Sequence, residues 1–403
     1  MHKKILEQAK RLQPTLVEYR RYLHRHAETG FDLPQTLAFV EKTLKEMGYT
    51  PKRIGKAGIT ATVFPENGKS HQSKTFLLRA DMDALPIKEK TGESFACKTG
   101  NMHACGHDMH TAMLLGAARL LQENKEGLQT GVTLLFQPAE EILEGAKDVI
   151  KAGVLSGVKG AMMFHVMTDT PLKSGTVVVS PPGVTAPAAD YFRIRVQGKS
   201  CHGSAPQNGI DALTVAAHIL MTMQEISARE LSVNTPATLT VGSFHGGTAG
   251  NAIADRAELH GTLRAFDEDI RAYIKKRIQA ISTQIAKAFR AKAEVKFEGG
   301  CPTLVNDDFL SAEAEKHTKK LLGEERVLGA KQLQGGVTNR NGGSEDFAYI
   351  SQEIPSIMLA LAAGNTDEGY AYPLHHPKTS FDESVLFVGA ATLAYNAMRF
   401  SGE

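Results

Sequence analysis

Four apolar runs in this chain each lead into a cluster of polar, reactive side chains, and that repetition restricts the fold more than any other feature. TFLLRA (75–80) runs into DMD (81–83), and GVTLLF (131–136) runs into QPAEE (137–141). GAMMF (160–164) runs into His165, and SIMLALAAG (356–364) precedes a loop holding His375 and His376. Between and around these runs lie stretches with helical apolar spacing, at 36–49, 109–123 and 386–400. The alternation predicts an α/β fold, a mainly parallel sheet with helices on both faces. In such a sheet the ligand site lies beyond the carboxyl ends of the strands. The four polar clusters should therefore meet along one edge.

The middle of the chain has a different pattern. DYFRIRVQGK (190–199), ATLTVGSF (237–244), RAELHGTLRAF (256–266) and AEVKFEG (293–299) alternate like half-exposed strands. Helical stretches at 211–229 and 267–291 complete the order β-α-β-β-α-β, the ferredoxin-like split pattern. SPPGVTAPAA (180–189) reads as a hinge into it. The expected organisation is a discontinuous α/β domain, 1–183 and 300–403, interrupted by an α+β domain over 184–299. A chain of 403 residues accommodates two such domains at roughly 100–200 residues each.

Composition removes several function classes. The net charge is +2, and no Lys/Arg stripe is interleaved with aromatics, so nucleic acid is not an expected partner. The N-terminus is charged throughout and reads as an amphipathic helix, not a signal peptide. No apolar run reaches the roughly 18 residues needed to span a membrane. The four cysteines (97, 105, 201 and 301) lack the spacing of a disulfide framework, which fits reduced thiols and a cytoplasmic setting.

The reactive residues then point to a metal. HACGHDMHT (103–111) holds three histidines, a cysteine and an aspartate. Imidazole and thiolate are borderline-soft donors that suit Zn²⁺-like ions, and carboxylates complete the charge balance. Each cluster alone has an ordinary reading. A Glu-Glu pair is usually a solvated helix start, and a histidine after a strand is usually a satisfied core residue. Their coincidence on one sheet edge favours a two-metal centre with about five or six protein ligands, which acidifies a water and polarises a carbonyl. A further carboxylate must move the proton. Glu140 and Glu141 could divide ligation and base duty between them, and the residues alone do not say which does which.

At this point the chain resembles a known family, the amidohydrolase branch of the dinuclear-zinc aminoacylase/carboxypeptidase superfamily. That branch includes hippurate hydrolases, N-acyl-amino-acid deacylases and auxin-conjugate hydrolases. The resemblance runs from RRYLHRHAETGF (20–31) through LRADMDALP (78–86), MHACGHDMHTAMLLGAA (102–118) and FQPAEE (136–141). It continues through GTAGNAIADRAELHGTLRAFD (247–267), GSEDF (343–347) and LHHPKTSFDE (374–383). It implies a zinc-peptidase-like catalytic domain with an inserted lid that dimerises. It implies two divalent ions per subunit, Zn²⁺ first, with Mn²⁺, Co²⁺ or Ni²⁺ compatible, held by Cys105, His107, Glu141, His165 and His375. Glu140 becomes the general base and acid. Asp83 becomes an acid that orients a histidine ligand, and Gly106 lets a close turn present Cys105 and His107. His202 resembles a lid histidine that reaches the partner subunit's site and stabilises the oxyanion. Asn251 and Arg264 resemble substrate-binding residues.

The departures from the family pattern lie elsewhere. Gln207 stands for a second histidine, Cys201 for a glycine, Ala254 for a proline, Thr379 for an aromatic residue and Ala27 for a proline. None is a proposed ligand, and several are expected on the lid and substrate side. The expected activity is metal-dependent cleavage of the amide of a small-molecule N-acyl amino acid, N-acetyl or N-benzoyl in type, by a homodimer or homotetramer joined through the lid. A dipeptidase or aminobenzoyl-glutamate-type hydrolase on the same scaffold is the alternative. A non-catalytic metal-binding protein is the reading from another class.

Overall fold

The computed structural model describes residues 1–66, 74–329 and 343–401. The chain divides into two compact units. One is Met1–Gly183 with the described residues of 305–339 and 349–403; the other is Val184–Leu304 with those of 340–348. The return crossing falls at Leu304/Val305 rather than at 300, because the last long strand of the second unit runs on to Cys301.

The first unit is built on an eight-stranded mixed sheet. Its four central strands, Gly131–Gln137, Thr75–Asp81, Val158–Met167 and Ser356–Ala362, pair in parallel in that order. Antiparallel pairs flank them. Every residue of Thr75–Asp81 and Gly131–Gln137 is buried. An unbroken apolar run suits a strand covered on both faces, where alternation would put polar groups against a helix. Parallel alignment places Asp81, Gln137 and the end of Val158–Met167 on one edge. Helices His2–Arg25, His107–Glu123 and Leu386–Arg399 supply much of the same core. They meet at Gly116, where an added Cβ would lie 2.8 Å from both Ala390 Cβ and Leu16 Cδ2. None of the described helices is long and apolar enough to cross a membrane.

A buried ion cluster fastens the first helix to the start of His107–Glu123. Asp108 accepts from Arg20 Nε at 2.8 Å and from His24 Nδ1 at 2.9 Å. Arg20 also reaches Glu383 at 2.9 Å, and His24 Nε2 reaches Glu89 at 3.1 Å. Asp108 stands in the first turn, as its position predicts, but its carboxylate serves this cluster more than the helix end. Burial works to lower His24, yet its hydrogen bonds to Asp108 and Glu89 raise it to about 9.

In the second unit four antiparallel strands lie in the order Ala237–Gly246, Arg256–Ala265, Ala188–Gln197, Lys292–Cys301. Helices Ala212–Glu225 and Glu268–Ala288 cover one face, burying Phe192, Ile194, Val196, Leu259 and Leu263 against Ile219, Ile274 and Ile278. Each helix begins at an aspartate whose side chain accepts a backbone N–H, Asp211 from Leu213 and Asp267 from Ile270. Part of the expected hinge is strand, since Gly183–Ala186 and Ala188 onward are extended and paired.

The His24 cluster predicts a pH dependence. A histidine whose folded pKa lies above its unfolded value near 6.5 stabilises fully below that value and loses its contribution as pH rises through about 9. The size is on the order of 3 kcal/mol. Urea unfolding of wild type and His24→Gln should therefore differ most at pH 6 and converge by pH 10. A constant difference across that range would show that His24 is not held as the cation.

Candidate metal centre

Cys105, His107, Glu140, Glu141, His165 and His375 come together at the carboxyl edge of the first unit's sheet. Cys105 Sγ lies 3.5 Å from His165 Nε2 and 3.2 Å from His375 Nε2. His375 Nε2 is 3.6 Å from a Glu141 oxygen. His107 Nε2 is 3.8 Å from Glu141 Oε1 and 3.9 Å from Glu140 Oε2. Two donor groups share the thiolate: Cys105 with His107 and His165, and Cys105 with Glu141 and His375. Ligand atoms about 2.0–2.3 Å from one tetrahedral ion stand about 3.3–3.8 Å apart, so these separations are those of a coordination sphere.

The local sequence explains the approach. Gly106 has φ 86°, and a Cβ there would sit 2.3 Å from Val166 Cγ2 and 3.0 Å from Phe381 Cζ. Only glycine takes that backbone in that space. The helix His107–Glu123 starts immediately after it. His107 Nδ1–H donates to the Asp83 carbonyl at 2.7 Å, and His165 Nδ1–H donates to the Val166 carbonyl at 2.8 Å. Both rings therefore turn Nε2 toward the site. His375 sits at φ 65°, and its N–H donates to the Ala104 carbonyl at 3.0 Å.

The Asp83 side chain does something other than expected. The bond that orients His107 goes to its backbone carbonyl, with a carboxylate oxygen 3.7 Å away. The carboxylate instead accepts the backbone N–H of Glu140 at 2.9 Å and of Glu141 at 3.2 Å. Behind this row lies a group that sequence reasoning did not single out. His110 Nδ1 donates to Asp81 at 2.6 Å and its Nε2 accepts the Val166 N–H at 2.9 Å, while Arg79 donates to Asp81 at 2.6 Å. Asp81, His107 and His110 are close enough to hold an ion, but both nitrogens of His110 are already engaged. A signal was present: His107 and His110 share a helix face at i, i+3, and Asp81 and Asp83 alternate to one side.

The electrostatics ask for positive charge. Burial, with Asp83 and Asp81 nearby and against His107, pushes Glu141 up to about 7. Burial and the Glu141 carboxylate push the Cys105 thiol well above its usual range. Burial opposes protonation of His107, yet Asp81 raises it well above its ordinary value. Burial lowers His165 to about 4, so that ring is neutral. His107 Nε2 and Glu141 Oε1 are buried with no hydrogen-bond partner among the described residues, a costly state for polar atoms. The donor set, the spacing and these two atoms all fit a pair of divalent cations.

The remaining sequence-predicted residues lie in the second unit. His202 pairs with Ala252 through the short strands Cys201–His202 and Ala252–Ile253, and Gly203 N–H donates to the Asn251 carbonyl at 2.8 Å. His202 and Asn251 are thus neighbours. Arg264 is not with them. It lies eight residues past Arg256 on its strand, about 27 Å at roughly 3.4 Å per residue, whereas the segment carrying His202 leaves the sheet beside Arg256.

Comparison with known proteins agrees with this architecture. Residues 77–399 match the profile described as Peptidase family M20/M25/M40. The chain is 37% identical over 391 residues to the N-acetyl-L-cysteine deacetylase of Bacillus subtilis, covering 96% of this chain and 88% of that protein. It is 35% identical over 407 residues to thermostable carboxypeptidase 1 of Saccharolobus solfataricus, covering 99% of each. The crystal structure of the Bacillus subtilis YXEP protein, described as a dinuclear metal binding peptidase from the M20 family, superposes with a TM-score of 0.79 at 30% identity, over 96% of this chain and 98% of that one.

Because Glu141, Cys105 and His107 all hold protons that a cation must displace, metal uptake by metal-free protein should release protons. Affinity should rise with pH, and below about 7 Glu141 contributes up to about tenfold per pH unit. Calorimetric titration at pH 6.5 in two buffers of different ionisation enthalpy reads this directly. Identical heats in both buffers would mean that none of these groups gives up a proton.

Proposed function

The chain belongs to peptidase family M20/M25/M40 and is a hydrolase of amide bonds, and from that premise we propose that it cleaves the amide of N-acyl amino acids. The products are a carboxylate and a free amino acid. The observation that carries the reading is the thiolate of Cys105 shared by two donor groups; Glu140 is in neither of these, but stands against His107 and forms a third group with His107 and Glu141.

Cys105, His107, Glu141, His165 and His375 would hold two divalent ions, Zn²⁺ or an ion of similar preference, which when bound polarise the acyl carbonyl and acidify water. Glu140 takes the proton of the attacking water and passes it to the amide nitrogen as the C–N bond breaks. It is suited to this because it is nearly buried and its backbone is pinned by Asp83. Asp83 and the backbone carbonyl of Val166 keep the histidine rings turned the right way.

His202 donates to the oxyanion in this reading. The N–H of Ser204 donates to its Nδ1 at 3.2 Å and the Ser204 hydroxyl is 2.7 Å from the same atom, so the proton sits on Nε2, free to donate. Asn251 and Arg264 bind the substrate's polar groups, with Arg264 suited to a carboxylate by its forked donors. A single lid holds Arg264 far from His202 and Asn251. Two copies of the chain could supply both ends to one substrate, which supports a homodimer, or a tetramer built from it. All four cysteines are free, which fits the cytoplasmic setting in this reading. The second reading, a peptidase acting on dipeptides, is favoured by the likeness to a carboxypeptidase.

A panel of N-acetyl and N-benzoyl amino acids and simple dipeptides, assayed with metal-loaded and chelator-treated protein, tests the proposal. Metal-dependent release from the acyl amino acids is expected; release from dipeptides alone would replace it with the second reading. Glu140→Gln should keep both ions and lose roughly 10²–10⁴-fold in kcat. Activity within a few-fold of wild type would remove Glu140 from the proton transfer.

A further inference from the structure

His375 differs from the other four donors in how it is held. Cys105 and His107 are pinned at a helix start, His165 is on a central strand, and Glu141 is tied by its backbone to Asp83. His375 lies in a loop, its side chain is 52% exposed, and among the described residues its ring reaches Cys105 at 3.2 Å and Glu141 at 3.6 Å. Both are fellow donors, so neither fixes the ring ahead of a cation. The backbone must do so, and that backbone is at φ 65°, a conformation unfavourable for any residue with a side chain. Such a conformation persists only where the surroundings over-determine it.

Main-chain bonds contribute, His375 N–H to the Ala104 carbonyl at 3.0 Å and His376 N–H to the Pro373 carbonyl at 3.3 Å, and the side chain that ties them together is that of Thr379. Thr379 is 1% exposed, so its side chain is interior. Its hydroxyl donates to the Pro373 carbonyl at 2.5 Å and accepts the His376 N–H at 3.2 Å. Its own N–H donates to the His376 carbonyl at 3.0 Å. One side chain thus joins the residues on either side of Leu374 and His375 into a closed turn. Beyond Thr379 the chain is anchored firmly: the Ser380 carbonyl accepts from Thr168 Oγ1 at 3.0 Å, Phe381 packs on Gly106, and Asp382 N–H donates to the Ala363 carbonyl at 2.7 Å. The Thr379 hydroxyl carries that rigidity back to the turn.

We propose that Thr379 is a positioning residue for the metal centre, whose hydroxyl holds the turn that presents His375 and so sets the affinity of the ion His375 shares with Cys105 and Glu141. An aromatic residue has no hydroxyl at that reach, so the threonine supplies a tie that such a residue would not. The inference rests on the metal reading above.

Thr379→Val keeps the shape and removes the hydroxyl; Thr379→Ser keeps the hydroxyl. Zinc content after equilibration with graded chelator, together with the absorption spectrum of the cobalt-loaded protein, reads the two ions separately from turnover. The valine variant should bind one ion as wild type does and the other roughly 10–100-fold more weakly, with an altered cobalt band. The serine variant should resemble wild type, and His375→Ala should lose the same ion as the valine variant. A folded valine variant that binds both ions as tightly as wild type overturns the proposal, and so does a serine variant as impaired as the valine one. If the valine variant does not fold, Thr379→Ala against Thr379→Ser reads the same hydroxyl. Should His375→Ala retain both ions, the ligand assignment fails; should it lose one while the valine variant loses none, only the role of Thr379 fails.

Discussion

The arrangement of the first unit turns on one buried carboxylate, that of Asp83. It stands just past Thr75–Asp81 and accepts the backbone N–H groups of Glu140 and Glu141, which follow the neighbouring parallel strand. Its carbonyl takes the Nδ1 proton of His107 from the helix that starts beyond the Cys-Gly turn. Three chain segments are thereby locked at one point. The segment that carries the glutamates is strained on both sides, with Ala139 before them at φ 57° and Leu143 after them at φ 56°. Two charge-assisted hydrogen bonds to the same side chain offset that strain and leave each glutamate with one backbone position.

Around this point the buried charges fall into layers. Nearest the site, carboxylates and a thiol lack sufficient cations of their own, which is why Glu141 and Cys105 bind protons so readily. One layer back, Asp81 is satisfied by Arg79 and His110. A further cluster pairs Asp108 with Arg20 and His24. The outer layers are closed by protein groups and need nothing further. The inner one is left open, and a site built to take a cation must be arranged in that way, because a donor already paired inside the protein has no lone pair to offer.

The second unit follows different physics. Its strands alternate and its helices cover one face; of the residues proposed for substrate, His202 is on the short strand Cys201–His202 and Arg264 near the end of the strand Arg256–Ala265. Cys201 and Gln207 both lie close to His202 in the chain, and Cys201 Sγ is 3.3 Å from the Ala205 carbonyl. Ala254, nearly buried, accepts the Ala212 N–H at 2.9 Å. Three of the departures from the family pattern therefore gather near one proposed substrate-facing histidine, while the metal-binding donors are undisturbed.

The sequence by itself pointed to the strands, the parallel order implied by intervening helices and the edge where reactive groups gather, all of which follow from hydrophobic periodicity, which is local; the particular set of donors came from the resemblance to a known family. The sequence also singled out Gly106, because a glycine between two donors has a steric reason to be there. Only the tertiary structure decided that Asp83 orients His107 with its carbonyl and spends its carboxylate on Glu140 and Glu141. The same holds for the burial of Thr379, the pairing of His110 with Asp81, and the tie between His24 and Asp108. Each of those depends on the sideways distance between segments far apart in the chain. A periodic pattern fixes which face a residue occupies, but not which neighbour it will touch there.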